Sequence, residues 1–282
     1  MACRLFGWWL LAALLQASPA AAADARYPGN LDVPYVPTNQ ATVEAMLRLA
    51  GVGNGDFVVD LGSGDGRILI TAVRKYGARG FGVDLDPQRV KESLANAKLA
   101  GVSDRAQFYQ RNLFDTKIAE ATVVTLYLLP RVNIELRPRL LAELRPGTRV
   151  VSHDFDMGDW KPDLRATVRG TNSTVYYWLI PVHAGGTWKV QVSMPRGNAE
   201  YEFDVQQKYQ EISVAAQRGG KQVAVLTPRL DGDAIAFVLV DHDDPIYRRR
   251  FEGKVTGRSM EGTARGEANA PGDEFKWRAT KQ

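Results

Sequence analysis

The feature that most constrains this 282-residue chain is a glycine-rich segment at residues 58–67, Val-Val-Asp-Leu-Gly-Ser-Gly-Asp-Gly-Arg. It follows a short apolar run and precedes a segment with apolar residues at helical spacing, namely Ile68, Ala72, Val73 and Tyr76. A glycine loop between a strand and a helix is typical of doubly wound α/β folds that bind a ligand beside the helix start. The segment therefore predicts a largely parallel sheet with a ligand site at the carboxyl ends of its strands.

Strand and helix patterns alternate on both sides of this loop. The apolar spacing predicts a helix that opens at Thr38 and stops at Gly51, and another, capped by Asp86, that turns Val90, Leu94 and Ala97 inward. Pro138 is expected to start or kink a fourth helix. The predicted strands of the sheet cover residues 57–62, 80–84, 106–110, 121–129 and 149–152, with a closing antiparallel hairpin at 164–168 and 174–180.

The chain changes character after Gly185, where helical spacing ends and short alternating runs such as Tyr201, Phe203 and Val205 take over. Seven or eight such strands predict a small antiparallel β barrel or sandwich. The basic run at 248–250 is expected to be a solvated edge strand. The predicted domains are thus an α/β sheet domain at 24–184 and a β-rich domain at 185–282, whose role the sequence leaves open.

The charges of the glycine loop indicate which ligand it binds. The dinucleotide fingerprint needs a third glycine where Arg67 stands, and the acidic Asp60 and Asp65 do not favour a pyrophosphate, so a nicotinamide oxidoreductase is the weakest alternative. Acids suit a cationic ligand that carries an amino group and a ribose but no phosphate, such as S-adenosylmethionine. Asp84 ends the second strand, where an acid holds ribose hydroxyls. The candidate cofactor-binding residues are Asp60, Gly62, Ser63, Gly64, Asp65, Gly66 and Asp84.

These motifs resemble those of class I, seven-strand methyltransferases. The segments at 32–38, 82–84 and 147–152 resemble, more narrowly, the mitochondrial lysine methyltransferases that modify the ATP synthase c-subunit and the adenine nucleotide translocase, and more distantly the non-SET histone-lysine methyltransferase. The likeness covers about residues 30–182. It implies S-adenosylmethionine as cofactor, a protein lysine as substrate, and cofactor contacts from Thr38 and from Asn112, where the family usually has Asp.

Methyl transfer to lysine requires that the ammonium lose its proton, which an apolar channel favours by desolvating the charge. Tyr35 and Tyr127 are the predicted substrate-lining residues, with core packing as the alternative. No general base is identified, so the catalytic residues stay unknown. His153 is interpreted as a hydrogen-bonding loop residue.

The first 23 residues have the pattern of a secretory signal peptide: Arg4, an apolar stretch at 5–15 and an Ala-rich end, with cleavage predicted after Ala23. We therefore expect an exported protein, periplasmic or secreted, whose only cysteine, Cys3, is removed. The alternative is an anchor at residues 5–23, and membrane contact is expected only through such an uncleaved segment.

Composition limits the other functions. The net charge of +4 comes from 36 basic and 32 acidic residues that are interspersed, so no nucleic-acid partner is expected. One Cys and three His leave little basis for a metal site, and none is predicted, although residues 241–245 carry metal-capable atoms. Two alternatives remain open: methylation of a small molecule or lipid of the cell envelope, and an exported binding protein with a catalytically idle fold. The oligomeric state is undetermined.

Overall fold

The structure is a computed structural model that describes residues 35–194, 197–243, 248–266 and 274–282. The predicted signal peptide and the segment at 32–34 lie outside these residues. Four helices are present in the described part: α1 Gln40–Leu49, α2 Arg67–Tyr76, α3 Pro87–Leu99 and α4 Pro130–Glu143. None of the helices in these ranges combines the length and the apolar character needed to cross a bilayer.

Seven strands form the sheet domain. They are β1 Phe57–Leu61, β2 Arg79–Asp84, β3 Ala106–Gln110, β4 Val123–Leu126, β5 Arg149–His153, β6 Leu164–Thr167 and β7 Thr174–Leu179. Their order in the sheet is β3-β2-β1-β4-β5-β7-β6, with β7 antiparallel to both of its neighbours. The predicted doubly wound sheet with its closing hairpin is confirmed.

Local differences from the sequence prediction have physical causes. Helix α1 begins at Gln40 rather than Thr38, because the Asn39 side chain caps it by accepting from the Thr42 amide. Strand β4 is shorter than predicted, since α4 begins at Pro130, well before Pro138, and the connecting residues 127–129 leave the sheet. The apolar run at 121–129 includes this connection, which is why its length misled the prediction.

The prediction of which α3 residues face the core is wrong at one of three positions. Val90 and Ala97 are buried, whereas Leu94 is 47% exposed and Ser93 is fully buried in its place. A Cβ added at Gly66 would lie 2.9 Å from the Ser93 Cβ, so the glycine loop packs directly on this helix. Only a small side chain fits at position 93, and the Ser93 hydroxyl donates to the Val90 carbonyl of the same helix.

Eight further strands make a closed antiparallel barrel, which decides between the predicted barrel and sandwich. They are β8 Gly186–Val192, β9 Ala199–Lys208, β10 Glu211–Arg218, β11 Lys221–Asp231, β12 Ala234–Val240, β13 Arg248–Thr256, β14 Ser259–Gly266 and β15 Glu274–Lys281. Pairing of β15 with β8 closes the ring. A cluster of aromatic side chains fills its interior, including Trp188, Phe203, Phe237, Phe251 and Trp277.

The prediction of a solvated edge strand at 248–250 is wrong. Strand β13 pairs with β12 and β14, so the closed barrel leaves it no free edge. Arg249 points inward with 2% exposure, and its guanidinium lies 4.7 Å from the Phe275 ring centroid. The alternation of the strand places every second residue inside, which three consecutive arginines concealed.

Candidate functional site

The sheet brings the candidate residues together where its winding reverses. After β1 the chain adds β2 and β3 on one side of this strand and then returns to place β4 and β5 on its other side. The carboxyl ends of β1 and β4 thus lie at the switch point where α/β sheets bind ligands. Asp60 is near the end of β1 and Asp84 at the end of β2. Tyr127 directly follows β4. The three side chains therefore share one edge of the sheet.

Left-handed glycines shape the loop after β1. Gly62, Gly64 and Gly66 have φ values of +82°, +52° and +82°, which L side chains rarely adopt. A Cβ at Gly64 would lie 2.6 Å from the Tyr35 ring, so a side chain there would also collide. The Gly62 and Ser63 amides both donate to the Val83 carbonyl at 2.9 Å, which fixes the loop against β2.

Asp84 is held by backbone donors on both of its oxygens. One oxygen accepts from the Gly64 amide and the other from the Asp86 amide, each at 2.9 Å. A carboxylate oxygen has two acceptor positions, so each retains one for a further donor. The orientation suits a pair of vicinal hydroxyl groups.

Asp60 is the most perturbed acid of the site. It is 1% exposed, and one oxygen accepts from the Thr125 hydroxyl at 2.6 Å. Burial raises the pKa of Asp60 to about 7, the Thr125 hydrogen bond opposes this shift, and the nearby charges of Asp84 and Asp65 add to it. Within the described residues, Asp60 Oδ2 and Ser63 Oγ have no hydrogen-bond partner. Buried polar atoms of this kind indicate a site that a ligand completes.

Asp65 has a protein partner for its charge. Arg67 donates to its carboxylate from Nε at 2.9 Å and from Nη2 at 2.6 Å. Burial by itself raises the pKa of Asp65, but the pairing with Arg67 outweighs burial, so the pKa is lowered. Arg67 also donates to the Thr38 carbonyl at 2.8 Å. The pair thus ties the segment before α1 to the glycine loop. Cofactor contact by Asp65 and Thr38 stays a prediction.

Asn112 caps a short 3-10 helix, Leu113–Asp115, by accepting from the Phe114 amide at 2.9 Å. The acceptor oxygen predicted for an adenine amino group therefore already holds one hydrogen bond. An Asp at this position would keep a second oxygen as acceptor. The departure from the family pattern removes that oxygen as well as the charge.

Aromatic side chains cover the edge beside β4 and β5. The centroid of the Tyr127 ring lies 3.9 Å from that of His153 and 6.3 Å from that of Phe155, on which Tyr127 stacks. Tyr35 lies over the glycine loop, 41% exposed, with the Arg89 guanidinium 4.4 Å from its ring centroid. Burial raises the pKa of both tyrosines, so both phenols stay neutral at physiological pH.

His153 is the last residue of β5 and not the loop residue that the sequence predicted. It is 3% exposed, with Nδ1 3.1 Å from the Thr38 hydroxyl and Nε2 2.8 Å from the Ser173 hydroxyl. Burial lowers its pKa against the opposing effect of Asp154, which keeps the ring neutral. It hydrogen-bonds as predicted, but it also supports Tyr127. Its position at the carboxyl end of a parallel strand was the available signal.

The tail residues considered for a metal have other partners. In the part of the chain that the structure describes, no group of three or more His, Cys, Asp or Glu side chains could hold a metal ion. Asp241 accepts from the Tyr201 hydroxyl at 3.0 Å and from Arg218 at 2.8 Å. Residues 244 and 245 lie outside the described ranges.

Comparison with known proteins places this site in a family. Residues 60–164 match the ANTKMT methyltransferase domain. The chain is 46% identical over 154 residues to the protein-lysine N-methyltransferase of Saccharolobus islandicus, covering 54% of this chain and 96% of that protein. It is 35% identical over 162 residues to the adenine nucleotide translocase lysine N-methyltransferase of Mus musculus, covering 57% and 68%. The chain belongs to the ANTKMT methyltransferase family.

A solved structure supports the cofactor of this ANTKMT methyltransferase. The crystal structure of an RNA methyltransferase from Salinibacter ruber in complex with S-adenosyl-L-homocysteine shares 56% identity, with a TM-score of 0.51, and covers 52% of this chain and 95% of that one. The predicted S-adenosylmethionine-dependent methyltransferase is thereby confirmed. The family match ends at residue 164, before the barrel.

The residues present fit S-adenosylmethionine. Its sulfonium supplies the activated methyl group when it is bound. The buried Asp60 Oδ2 and Ser63 Oγ lack partners, Asp84 retains acceptor positions, and the glycines let backbone approach a ligand closely. The buried carboxyl of Asp60 and the acceptor positions of Asp84 suit a ligand with an ammonium group and hydroxyl groups.

Proposed function

We propose that this enzyme transfers the methyl group of S-adenosylmethionine to the side-chain nitrogen of a protein lysine. The observation that carries the proposal is the 46% identity to a protein-lysine N-methyltransferase across 96% of that protein. The mouse relative is also a lysine N-methyltransferase by name. The two relatives named for lysine methylation differ in chain length, and what both share with this chain is the sheet domain. This favours the sheet domain as the catalytic part.

Within this proposal Asp84 binds the ribose hydroxyls, and Asp60 with Ser63 binds the amino-acid end of the cofactor. The free acceptor positions of Asp84 and the unpartnered Asp60 Oδ2 support this assignment. The ammonium group of the ligand would offset the burial of Asp60 and return its carboxyl to the ionised form.

In this proposal the acceptor lysine releases its proton to solvent as it enters the site, because desolvation favours the neutral amine over the ammonium. Tyr127, Phe155 and His153 form an aromatic wall beside β4 and β5. Burial against this wall removes water from the amine and so favours its neutral form, an effect that must exceed the cation–π attraction of the ring faces. Nδ1 of His153 lies beside the Thr38 hydroxyl, and Nε2 lies beside the Ser173 hydroxyl and 3.2 Å from the Asp154 carboxylate. Both nitrogens therefore have partners, and in this proposal His153 positions the wall. Alignment of amine and methyl carbon then supplies the rate enhancement.

Export is part of the proposal. The support is the N-terminal pattern of a basic residue, an apolar stretch and an Ala-rich end, which typifies signal peptides. Fractionation of cells that express the full chain with a C-terminal tag tests it. A tagged species that is shorter by about 23 residues and lies outside the cytoplasm is expected. Full-length protein in the membrane supports the anchor, and full-length protein in the cytoplasm contradicts export.

The lysine proposal is tested by incubating the purified protein with methyl-labelled S-adenosylmethionine and three separate acceptor fractions: envelope proteins, envelope lipids with small molecules, and RNA. We expect label in protein, recovered as methyl-lysine after acid hydrolysis. The RNA fraction is included because a 56% identical structure is named an RNA methyltransferase.

The other outcomes contradict the proposal in distinct ways. Label in lipid or small molecules supports the envelope alternative, and label in RNA supports a nucleic-acid substrate. Label in protein at a residue other than lysine rejects the acceptor but keeps the enzyme class. Cofactor binding without label in any fraction supports a catalytically idle protein.

A further inference from the structure

The barrel touches the sheet domain through the hairpin that joins β9 to β10. Gln210 accepts from the Trp160 indole N–H at 2.8 Å and donates to the Lys161 carbonyl at 2.7 Å. Trp160 is fully buried, and its own carbonyl accepts from the Trp178 indole at 2.9 Å. The Gln210 side chain thus forms hydrogen bonds both to a side chain and to the backbone of the loop that follows β5.

Tyr209 and Lys208 strengthen the same contact. The Tyr209 ring lies 5.9 Å from the Trp160 ring and 5.5 Å from the Arg137 guanidinium. Asp159 accepts from the Tyr209 hydroxyl at 3.2 Å and pairs with Lys208 at 3.1 Å and with Arg137 at 2.5 Å. Hydrogen bonding to Lys208, helped by Arg137, lowers the pKa of Asp159 to about 2. Tyr209 has a φ of +57°, so the hairpin holds a costly backbone conformation at this contact.

The loop held in this way borders the transfer site. Its first part carries Phe155, which stacks on Tyr127. Asn133 of α4 is buried and donates to the carbonyls of Phe155 and Asp156 at 3.1 and 3.3 Å. The hairpin therefore reaches Tyr127 through a continuous series of contacts, from Gln210 through Trp160 and the loop backbone to Phe155.

The relatives indicate that the sheet domain does not require this support in general. The Saccharolobus islandicus protein is matched over 96% of its length by 154 residues, so it lacks space for both a sheet domain and an eight-stranded barrel. In this chain the barrel supplies contacts that such a relative must lack.

We propose that the barrel is a positioning element of the acceptor site: its β9–β10 hairpin holds the loop at 154–163 and so fixes the wall formed by Phe155 and Tyr127. The proposal rests on the methyltransferase activity but not on lysine as the acceptor. Cofactor binding is independent of the hairpin, because Asp60 and Asp84 belong to β1 and β2.

The test compares Gln210→Ala with Gln217→Ala in the full-length protein by hydrogen–deuterium exchange. Gln217 lies at the opposite end of β10, exposed and far from the sheet-domain contact, and serves as the matched control. We expect Gln210→Ala to speed amide exchange in residues 154–163 by at least about tenfold, with the barrel strands unchanged. Gln217→Ala should leave the loop at the wild-type rate. Unchanged loop exchange in Gln210→Ala, or faster exchange spread evenly over the barrel, would overturn the proposal.

Kinetics distinguish positioning from stability. Gln210→Ala should raise the KM for the acceptor fraction by about tenfold while the affinity for S-adenosylhomocysteine stays within about twofold. Gln210→Glu keeps the acceptor for the Trp160 indole and should recover part of the loss. Loss of cofactor affinity together with acceptor KM would contradict the proposal. If no fraction accepts label, the lysine proposal fails while the exchange measurement still tests the hairpin.

Discussion

The sheet domain and the barrel each contain a buried aspartate, Asp60 and Asp241, and the two carboxyl groups differ in their hydrogen-bond partners. Asp60 is 1% exposed and has one hydrogen bond, from Thr125, with its second oxygen unpartnered among the described residues. Asp241 is 6% exposed and accepts from Tyr201, Arg218 and the Asp243 amide. Removal of one partner from a hydrogen-bonded buried acid is costly to the fold, whereas a buried acid with an unpartnered oxygen at the edge of the sheet fits a ligand site.

The surroundings of the two acids repeat this contrast. The interior of the barrel is largely aromatic, with Phe237 and Phe251 stacked at 4.9 Å and Trp277 beside them. The edge of the sheet instead combines a loop of left-handed glycines with acids. This contrast agrees with a sheet domain that carries the ligand site and with the proposal that the barrel positions part of that domain.

The largest expected effect is that of Asp84→Ala on cofactor affinity. The change removes the proposed acceptor for the ribose hydroxyls and the anchor of the Gly64 amide. Charge-assisted hydrogen bonds of this kind contribute about 3 kcal/mol together, so binding of S-adenosylhomocysteine should weaken by about 100-fold. Isothermal titration calorimetry measures it. Affinity within a few-fold of wild type would place the ribose elsewhere.

Asp241→Ala should produce the complementary result, a loss of stability without a loss of binding. It removes one acceptor that Arg218 and the Tyr201 hydroxyl share. Because the Arg218 side chain is 32% exposed, we expect a modest cost of about 2 kcal/mol in the free energy of unfolding. Denaturant unfolding followed by calorimetry tests both parts. A drop in cofactor affinity with intact fold would contradict the division between the regions.

Two glycines with similar backbones sharpen the comparison further. Gly64 and Gly219 have φ values of +52° and +55°, but an added Cβ meets Tyr35 at Gly64 and nothing within 4 Å at Gly219. The left-handed backbone alone should make alanine cost about 1 kcal/mol in stability at either position, and the contact with Tyr35 should add to this cost at Gly64. Only Gly64→Ala should also weaken S-adenosylhomocysteine binding, by about tenfold. Equal binding in the two variants would remove the loop from the cofactor site.

The sequence predicted the sheet well because its signals are local. The segment at 58–67 and the capping pair Asp86 and Pro87 each specify one turn or helix end, and the structure has them as expected. Closure of the barrel depends on pairing between β8 and β15, which are remote in the chain. No local pattern distinguishes that pairing from a sandwich.

The errors arose where tertiary contacts override a simple pattern. Leu94 has helical spacing with Val90, yet the close approach of Gly66 leaves room only for Ser93. Arg249 stands between two other arginines, yet strand alternation turns it into the barrel beside Phe275. The contact of His153 with Tyr127 joins two strand ends that only the folded sheet brings together.

The most direct test of the division between the regions is the pH dependence of S-adenosylhomocysteine affinity in wild type, Asp60→Asn and Asp241→Asn. The pKa of Asp60 is raised to about 7 in the free protein, and a bound ammonium favours the ionised form. Affinity should therefore fall by about tenfold as the pH falls from about 8 to about 6, since binding must first expel a proton. Asp241→Asn should keep this slope, and Asp60→Asn should bind more weakly with little slope. A flat wild-type profile, or a slope that Asp60→Asn retains, would contradict Asp60 as the cofactor's partner.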